Sequence, residues 1–185
     1  MGRLCPFGFK RFRQSLPGDI NLTFAGAEAN VAASLSMLSG KTRFITALPK
    51  HDVTAACLAN LKGLGIDTES IVLSDVGRLG LYWVEAGDNQ RPSRVIYDRD
   101  YSSVSMTPPE AYDWKAIYAD AGWMHTTGIT PALSAQSAES TLAAVQHAKE
   151  SGLTVSCDLN FRKKLWNWEP GTSANELAQN TIRKI

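Results

Sequence analysis

The stretch from Trp123 to Leu159 constrains the fold more than any other part of the sequence. Trp123 to Thr127 reads as a strand, Ser134 to Ser151 as a helix closed by Gly152, and Leu153 to Leu159 as a second strand. A helix of that length between two short apolar runs suits a right-handed crossover, so the two strands are expected to run parallel in one sheet. Parallel sheets need helices on both faces, which makes the expected class α/β.

The rest of the chain divides around this unit. Ala27 to Leu38 reads as a helix rich in small residues, with Val31, Leu35 and Leu38 on one stripe and Gly40 as its C-terminal cap. Arg43 to Leu48 reads as a buried strand, and Asp52 as the N-cap of a helix reaching Leu64. Three strand-like runs then follow one another, Ser70 to Ser74, Leu79 to Glu85 and Arg94 to Arg99, and together they look like a β insertion. Met1 to Thr23 reads as extended chain around a Leu16-Pro17-Gly18-Asp19 turn. Ser173-x-x-Glu176 is a capping box that opens a last helix. No strand follows for that helix to cross to, and the polypeptide is expected to be part of something larger.

Composition narrows the partners. Nineteen Lys and Arg against eighteen Asp and Glu leave a net charge of +1, too little cationic excess to favour a row of nucleic-acid phosphates. Cys5, Cys57 and Cys157 lie far apart without ligand or CxxC spacing, which points to free thiols in a reducing compartment. No apolar run reaches membrane length, and no apolar segment follows the basic residues near the start, so the expected location is cytoplasmic. The three histidines are isolated, which leaves no metal site to expect. No P-loop, G-x-G-x-x-G, G-x-S-x-G or H-E-x-x-H pattern occurs. Small molecules are the expected partners.

Three segments could carry chemistry. Ala25 to Ala32 places small residues where the chain enters a helix, and such a turn lets a ligand approach the backbone; it equally suits a helix packed tightly on a sheet. Asn30 adds an amide that can both donate to and accept from a polyol. Tyr97 and Arg99 share one face of their strand, an aromatic ring beside a planar cation that grips carboxylates; pairing of Arg99 with Asp98 or Asp100 is the plainer alternative. Tyr82 is either a pocket residue or ordinary half-buried packing. Asp158 to Arg162 ends a strand where open parallel sheets bind ligands, and Arg162, Lys163 and Lys164 suit phosphate or plain solvation.

Taken together these segments resemble the ribokinase-like (pfkB-type) carbohydrate kinases, most closely the 2-keto-3-deoxygluconate kinase branch. The likeness rests on Ala25-Gly26-Ala27-Glu28-Ala29-Asn30-Val31-Ala32, Gly80-Leu81-Tyr82, Tyr97-Asp98-Arg99, the Thr127 to Ser134 stretch, and Asp158-Leu159-Asn160-Phe161-Arg162. It implies a partial ribokinase-like domain over 1–185, with 9–24 and 70–105 as a β lid and 25–69 and 106–185 as the α/β core. It implies that Gly26, Ala27, Asn30, Tyr82, Tyr97, Asp98 and Arg99 meet a sugar acid, Arg99 at its carboxylate. Asn160, Phe161 and Arg162 would lie toward the nucleotide, Arg162 stabilising the transferring phosphoryl group. ATP and Mg2+ would serve the complete enzyme, which would pair through its lid. The family's G-A-G-D segment, which carries the catalytic aspartate, has no counterpart here and by the resemblance would lie beyond Ile185. The chain alone is therefore expected to be inactive, cut short at both ends.

Overall fold

The computed structural model describes residues 1–185. In chain order the elements are β1 (Gly2–Cys5), α1 (Phe12–Ser15), β2 (Asn21–Phe24), α2 (Ala27–Met37), β3 (Thr42–Arg43), β4 (Ala47–Pro49), α3 (Asp52–Gly63), β5 (Ile66–Asp67) and β6 (Val72–Ser74). They continue with β7 (Leu81–Glu85), β8 (Arg94–Asp98), α4 (Ser103–Met106), a 3-10 turn (Pro109–Ala111), α5 (Trp114–Tyr118), β9 (Trp123–Thr127), α6 (Ala135–Glu150), β10 (Thr154–Asp158) and α7 (Ala174–Ile182).

The crossover expected from the sequence is present. β9 and β10 pair in parallel, Trp123 opposite Thr154 and Thr127 opposite Asp158. Between them α6 starts at Ser134, whose Oγ accepts from the Ser137 amide at 3.0 Å. Its buried face, including Ala144, Val145 and Ala148, packs on Met124 and Leu153 of the strands and on Tyr112, Trp114, Ile117 and Tyr118. Trp114 stacks on Tyr112 and Tyr118 with centroids 4.8 and 6.0 Å apart, and the Tyr118 hydroxyl donates to the Ala144 carbonyl. Burial pushes both tyrosines up to about 12. Ile185, half-buried after α7, packs against this same core.

Two more parallel pairs, β3 with β5 and β4 with β6, stand beside the βαβ unit as separate two-stranded sheets, so the parallel part of the α/β core is three short ladders. The single strand expected over Arg43 to Leu48 is divided, because its partner turns between Thr68 and Ile71 and offers no continuous edge. A second core of Ala32, Leu48, Cys57, Leu61, Ile66, Ile71 and Leu79 seals these pairs beneath α2 and α3. The cap of α3 is His51, not Asp52: its Nδ1 accepts from the Thr54 amide at 3.1 Å, and Asp52 becomes the first helical residue. A carboxylate is still favoured there by the helix dipole.

The small sheet has the order β2-β1-β7-β8. β1 runs antiparallel to β2 and parallel to β7, and β7 runs antiparallel to β8, with Tyr82 opposite Tyr97. Gly2–Cys5 therefore belongs to this sheet, although the expected lid begins only at residue 9, and Val72–Ser74 pairs with Ala47–Pro49 instead. Gly2 permits the join, since a Cβ there would lie 2.7 Å from the Leu81 side chain and 3.1 Å from that of Leu22. Phe12–Ser15 forms a helical turn in chain expected to be extended, anchored by the Phe12 amide on Glu85 Oε1 at 2.9 Å and by the Phe12 ring edge-on to Trp83. No helix is long and apolar enough to cross a membrane.

Candidate functional site

β8 carries Tyr97, β7 carries Tyr82 directly opposite, and Arg99 follows one residue after β8 ends. The period of two turns Arg99 to the same side as Tyr97. Its Cζ lies 4.7 Å from the Tyr97 ring centroid and 5.6 Å from that of Tyr82. Arg99 is only 8% exposed, and its Nε and Nη1 have no hydrogen-bond partner. Burial lowers the guanidinium from its ordinary value, Tyr97, Tyr82 and Glu28 oppose that, and the Arg162 charge adds to it. Arginine cannot shed its proton in a protein, so this buried cation calls for an anion.

Neither neighbouring aspartate supplies one. Asp98 is held by Arg78 Nη2 in an ion pair, and Arg78 Nε donates to the Asp100 carbonyl at 3.0 Å. Asp98 is thereby engaged away from the Arg99 group, and Arg99 forms no ion pair with Asp100, its Nε and Nη1 remaining without a partner, so the plainer alternative does not hold.

Two spaces adjoin these residues. One is an open cleft of ≈ 490 Å³ between Ser93–Tyr97 and Lys164. The other is a cavity of ≈ 40 Å³, with Arg99, Ser102 and Gly80 among its walls. The small one holds the unpaired cation, and chemistry rather than size makes it the more informative.

Gly26 caps α2 in extended backbone, and Ala27 and Tyr97 pack on one core formed by Ile129, Ala132, Leu165, Trp166, Leu177 and Ala178. Glu28 ties this helix start to the end of β9, its Oε1 accepting from Thr127 Oγ1 at 2.7 Å and Thr130 Oγ1 at 2.8 Å. Gly128 donates to the Asp158 carbonyl at 2.8 Å, and a Cβ there would lie 2.2 Å from the Leu159 carbonyl oxygen. Only glycine allows the loops after β9 and β10 to meet so closely.

After β10 the Asn160 amide donates to Asp158 Oδ1 at 3.0 Å, and Asn160 adopts φ +36°, a region asparagine tolerates better than most residues. Phe161 is 43% exposed, and exposed Arg162 donates only to the Phe161 carbonyl, which leaves its fork open to solvent. Trp166 is 2% exposed and serves the core. Tyr82, Tyr97 and Arg99 are thus brought together, with Ala27 behind Tyr97. Exposed Asn30 and the Asn160 to Arg162 loop share no hydrogen bond with that group. Ile185, past which the resemblance puts the catalytic aspartate, sits on the core of Tyr112 and Trp114 and contributes nothing to the Arg99 group. Glu28 and Ser102 have no role in the sequence reading; the Thr-x-x-Thr spacing at Thr127 and Thr130 is the only available signal for the former. No group of three or more His, Cys, Asp or Glu side chains could hold a metal.

The sequence pattern of the pfkB family carbohydrate kinases matches residues 9–184. The chain belongs to the pfkB family. Among its pfkB relatives, the 2-dehydro-3-deoxygalactonokinase of Haloferax volcanii is 38% identical over 145 residues, 77% of this chain and 44% of that protein. The 2-dehydro-3-deoxygluconokinase of Bacillus subtilis is 33% identical over 146 residues, with the same coverage. The crystal structure of Thermotoga maritima 2-dehydro-3-deoxygluconokinase superposes with TM-score 0.85 at 40% identity, covering 90% of this chain and 50% of that one. This pfkB chain therefore spans about half the length of the relatives it matches.

Proposed function

We propose that this pfkB chain carries the sugar-acid site of an ATP-dependent kinase that converts 2-keto-3-deoxygluconate to its 6-phosphate. The observation that carries the reading is Arg99, a buried guanidinium with two unmet N–H groups between two tyrosines. A carboxylate would satisfy its charge and its fork at once. A neutral sugar would leave the charge unpaired at a cost of a few kcal/mol. Relatives named for 2-dehydro-3-deoxy sugar acids support the same chemistry.

In this reading Gly26, Ala27 and Asn30 bound the sugar, Tyr82 and Tyr97 flank it, and the small sheet closes over it and excludes water. Asp98 acts at one remove, by fixing Arg78 beside the site. Asn160, Phe161 and Arg162 face the nucleotide, and the open Arg162 fork meets the phosphoryl group passing to the sugar hydroxyl. ATP supplies that group. For Mg2+ these residues offer no cluster of three or more His, Cys, Asp or Glu side chains. The complete enzyme would dimerise through the small sheet, in the cytoplasm.

A second reading, a sugar-binding module without turnover, is favoured by one observation: no G-A-G-D segment occurs in the 185 residues. For these residues alone we expect binding and no phosphoryl transfer. Calorimetry with 2-keto-3-deoxygluconate tests the site: Arg99→Ala should weaken acid binding about tenfold or more and leave a neutral ketose unaffected. Equal loss for both sugars would sink the acid assignment and favour another sugar or nucleoside substrate. Steady turnover of the acid by the purified chain would sink the module reading.

A further inference from the structure

We propose that the Ser102 hydroxyl is a second donor to the acid group bound by Arg99, and so sets selection for a carboxylate; this rests on the sugar-acid reading above. Ser102 is 2% exposed, and its Oγ has no hydrogen-bond partner. It precedes a helical turn, where serine usually bonds the first amides, yet its side chain makes no such bond.

The hydroxyls around it are all engaged. Ser103 donates to Val76 O, Ser105 to Ser102 O, Thr107 to Ser103 O, Ser134 to Ser105 O and Ser140 to Thr107 O, each within 3.0 Å. Buried hydroxyls in native folds normally find partners, so a lone exception among satisfied neighbours points to a missing ligand.

Ser102 lines the same cavity as Arg99. The Ser102 amide donates to the Arg99 carbonyl at 3.2 Å, a turn that fixes the two side chains relative to each other. Gly80 keeps the space open, since a Cβ there would approach Ser102 Cβ at 3.3 Å. Much of the remaining lining is apolar, including Leu48, Leu79, Val104 and Leu133. Thr46, Arg78 and Met1 complete the wall, so the lining is cationic as well as apolar; the three unpartnered N–H and O–H donors match the two oxygens of one carboxylate, and ≈ 40 Å³ suits a group of that size.

The test compares the 185-residue chain with Ser102→Ala by calorimetry against 2-keto-3-deoxygluconate and a neutral ketose, with thermal melts of each ligand-free protein. Acid affinity is expected to fall about tenfold or more while neutral-sugar binding and Tm stay level or Tm rises, because an unpaired buried hydroxyl is removed. Ser102→Cys, which keeps a weak donor in place, should restore part of the loss. Unchanged acid affinity in Ser102→Ala would overturn this inference alone, leaving Arg99 as the acid receptor and water in the cavity. A fall in Tm with parallel loss of both sugars would mark a structural role and overturn it too. Absence of acid binding by the unmodified chain would overturn both this inference and the reading beneath it.

Discussion

Arg99 works against the stability of the ligand-free fold. A guanidinium removed from water recovers little from two tyrosine faces, and the unmet Nε and Nη1 add to the deficit. Arg99→Met should therefore stabilise the ligand-free chain by about 1 kcal/mol or more in urea unfolding while abolishing acid binding. A lower midpoint for Arg99→Met would show that the arginine is structural. Gly128 is the opposite case, a residue without a side chain on which stability rests. A methyl group there meets the Leu159 carbonyl at 2.2 Å, a contact backbone on both sides must yield to. Gly128→Ala should cost about 1–3 kcal/mol, seen as a shift of the urea midpoint, and wild-type stability in that variant would contradict the close approach.

Elements are joined by side chains that sequence periodicity does not display. Arg43 donates from Nε to Asp67 at 2.8 Å and from Nη1 to Asp120 at 2.9 Å and the Ile117 carbonyl at 2.7 Å, tying β3 and β5 to α5. The Glu69 amide, and next the Arg43 guanidinium, hold Asp67 below its usual 3.8. A depressed carboxylate stabilises the fold above its unfolded value, and that contribution is lost as pH falls through the folded one. Stability should accordingly drop below pH 3.8, less steeply in Asp67→Asn, as followed by circular dichroism; identical acid profiles would contradict the link. At the alkaline end the sign reverses for Tyr112 and Tyr118. Their folded values of about 12 exceed the unfolded 10.0, so stability should fall between those limits, and ultraviolet difference spectra should show two tyrosines ionising late. The βαβ unit is legible in the sequence because α6 writes a long 3.6-residue period between two short apolar strands. The division of the strand after Arg43 is not, since it follows from where β5 and β6 turn. His51 escapes notice as a cap because an imidazole is an uncommon choice beside Asp52. Tyr97 and Arg99 can be read as neighbours from strand alternation alone, whereas Glu28 on Thr127 and Ser102 beside Arg99's cavity depend on contacts that no local window contains.

On the scale of the whole molecule, β10 pairs only with β9, and its other edge is free. Nearby, Trp123, Leu159 and Phe161 are 64%, 63% and 43% exposed. An open strand edge flanked by large apolar side chains recruits further chains. Sedimentation velocity should show self-association that grows with concentration and weakens in Leu159→Asp; a monomer at every concentration would contradict it. The small sheet has another consequence, for the order in which the molecule can assemble. β1 lies between β2, its neighbour in sequence, and β7, which the ribosome delivers only after α2, α3 and four core strands. Gly2 waits for Leu81. A nascent chain must therefore carry a two-stranded ribbon, with the β1 edge bare until β7 emerges, a marginal structure on its own. Closure of the sheet becomes a late event in biogenesis, and the Arg99 cavity, whose wall includes both Met1 and Gly80, cannot exist before it.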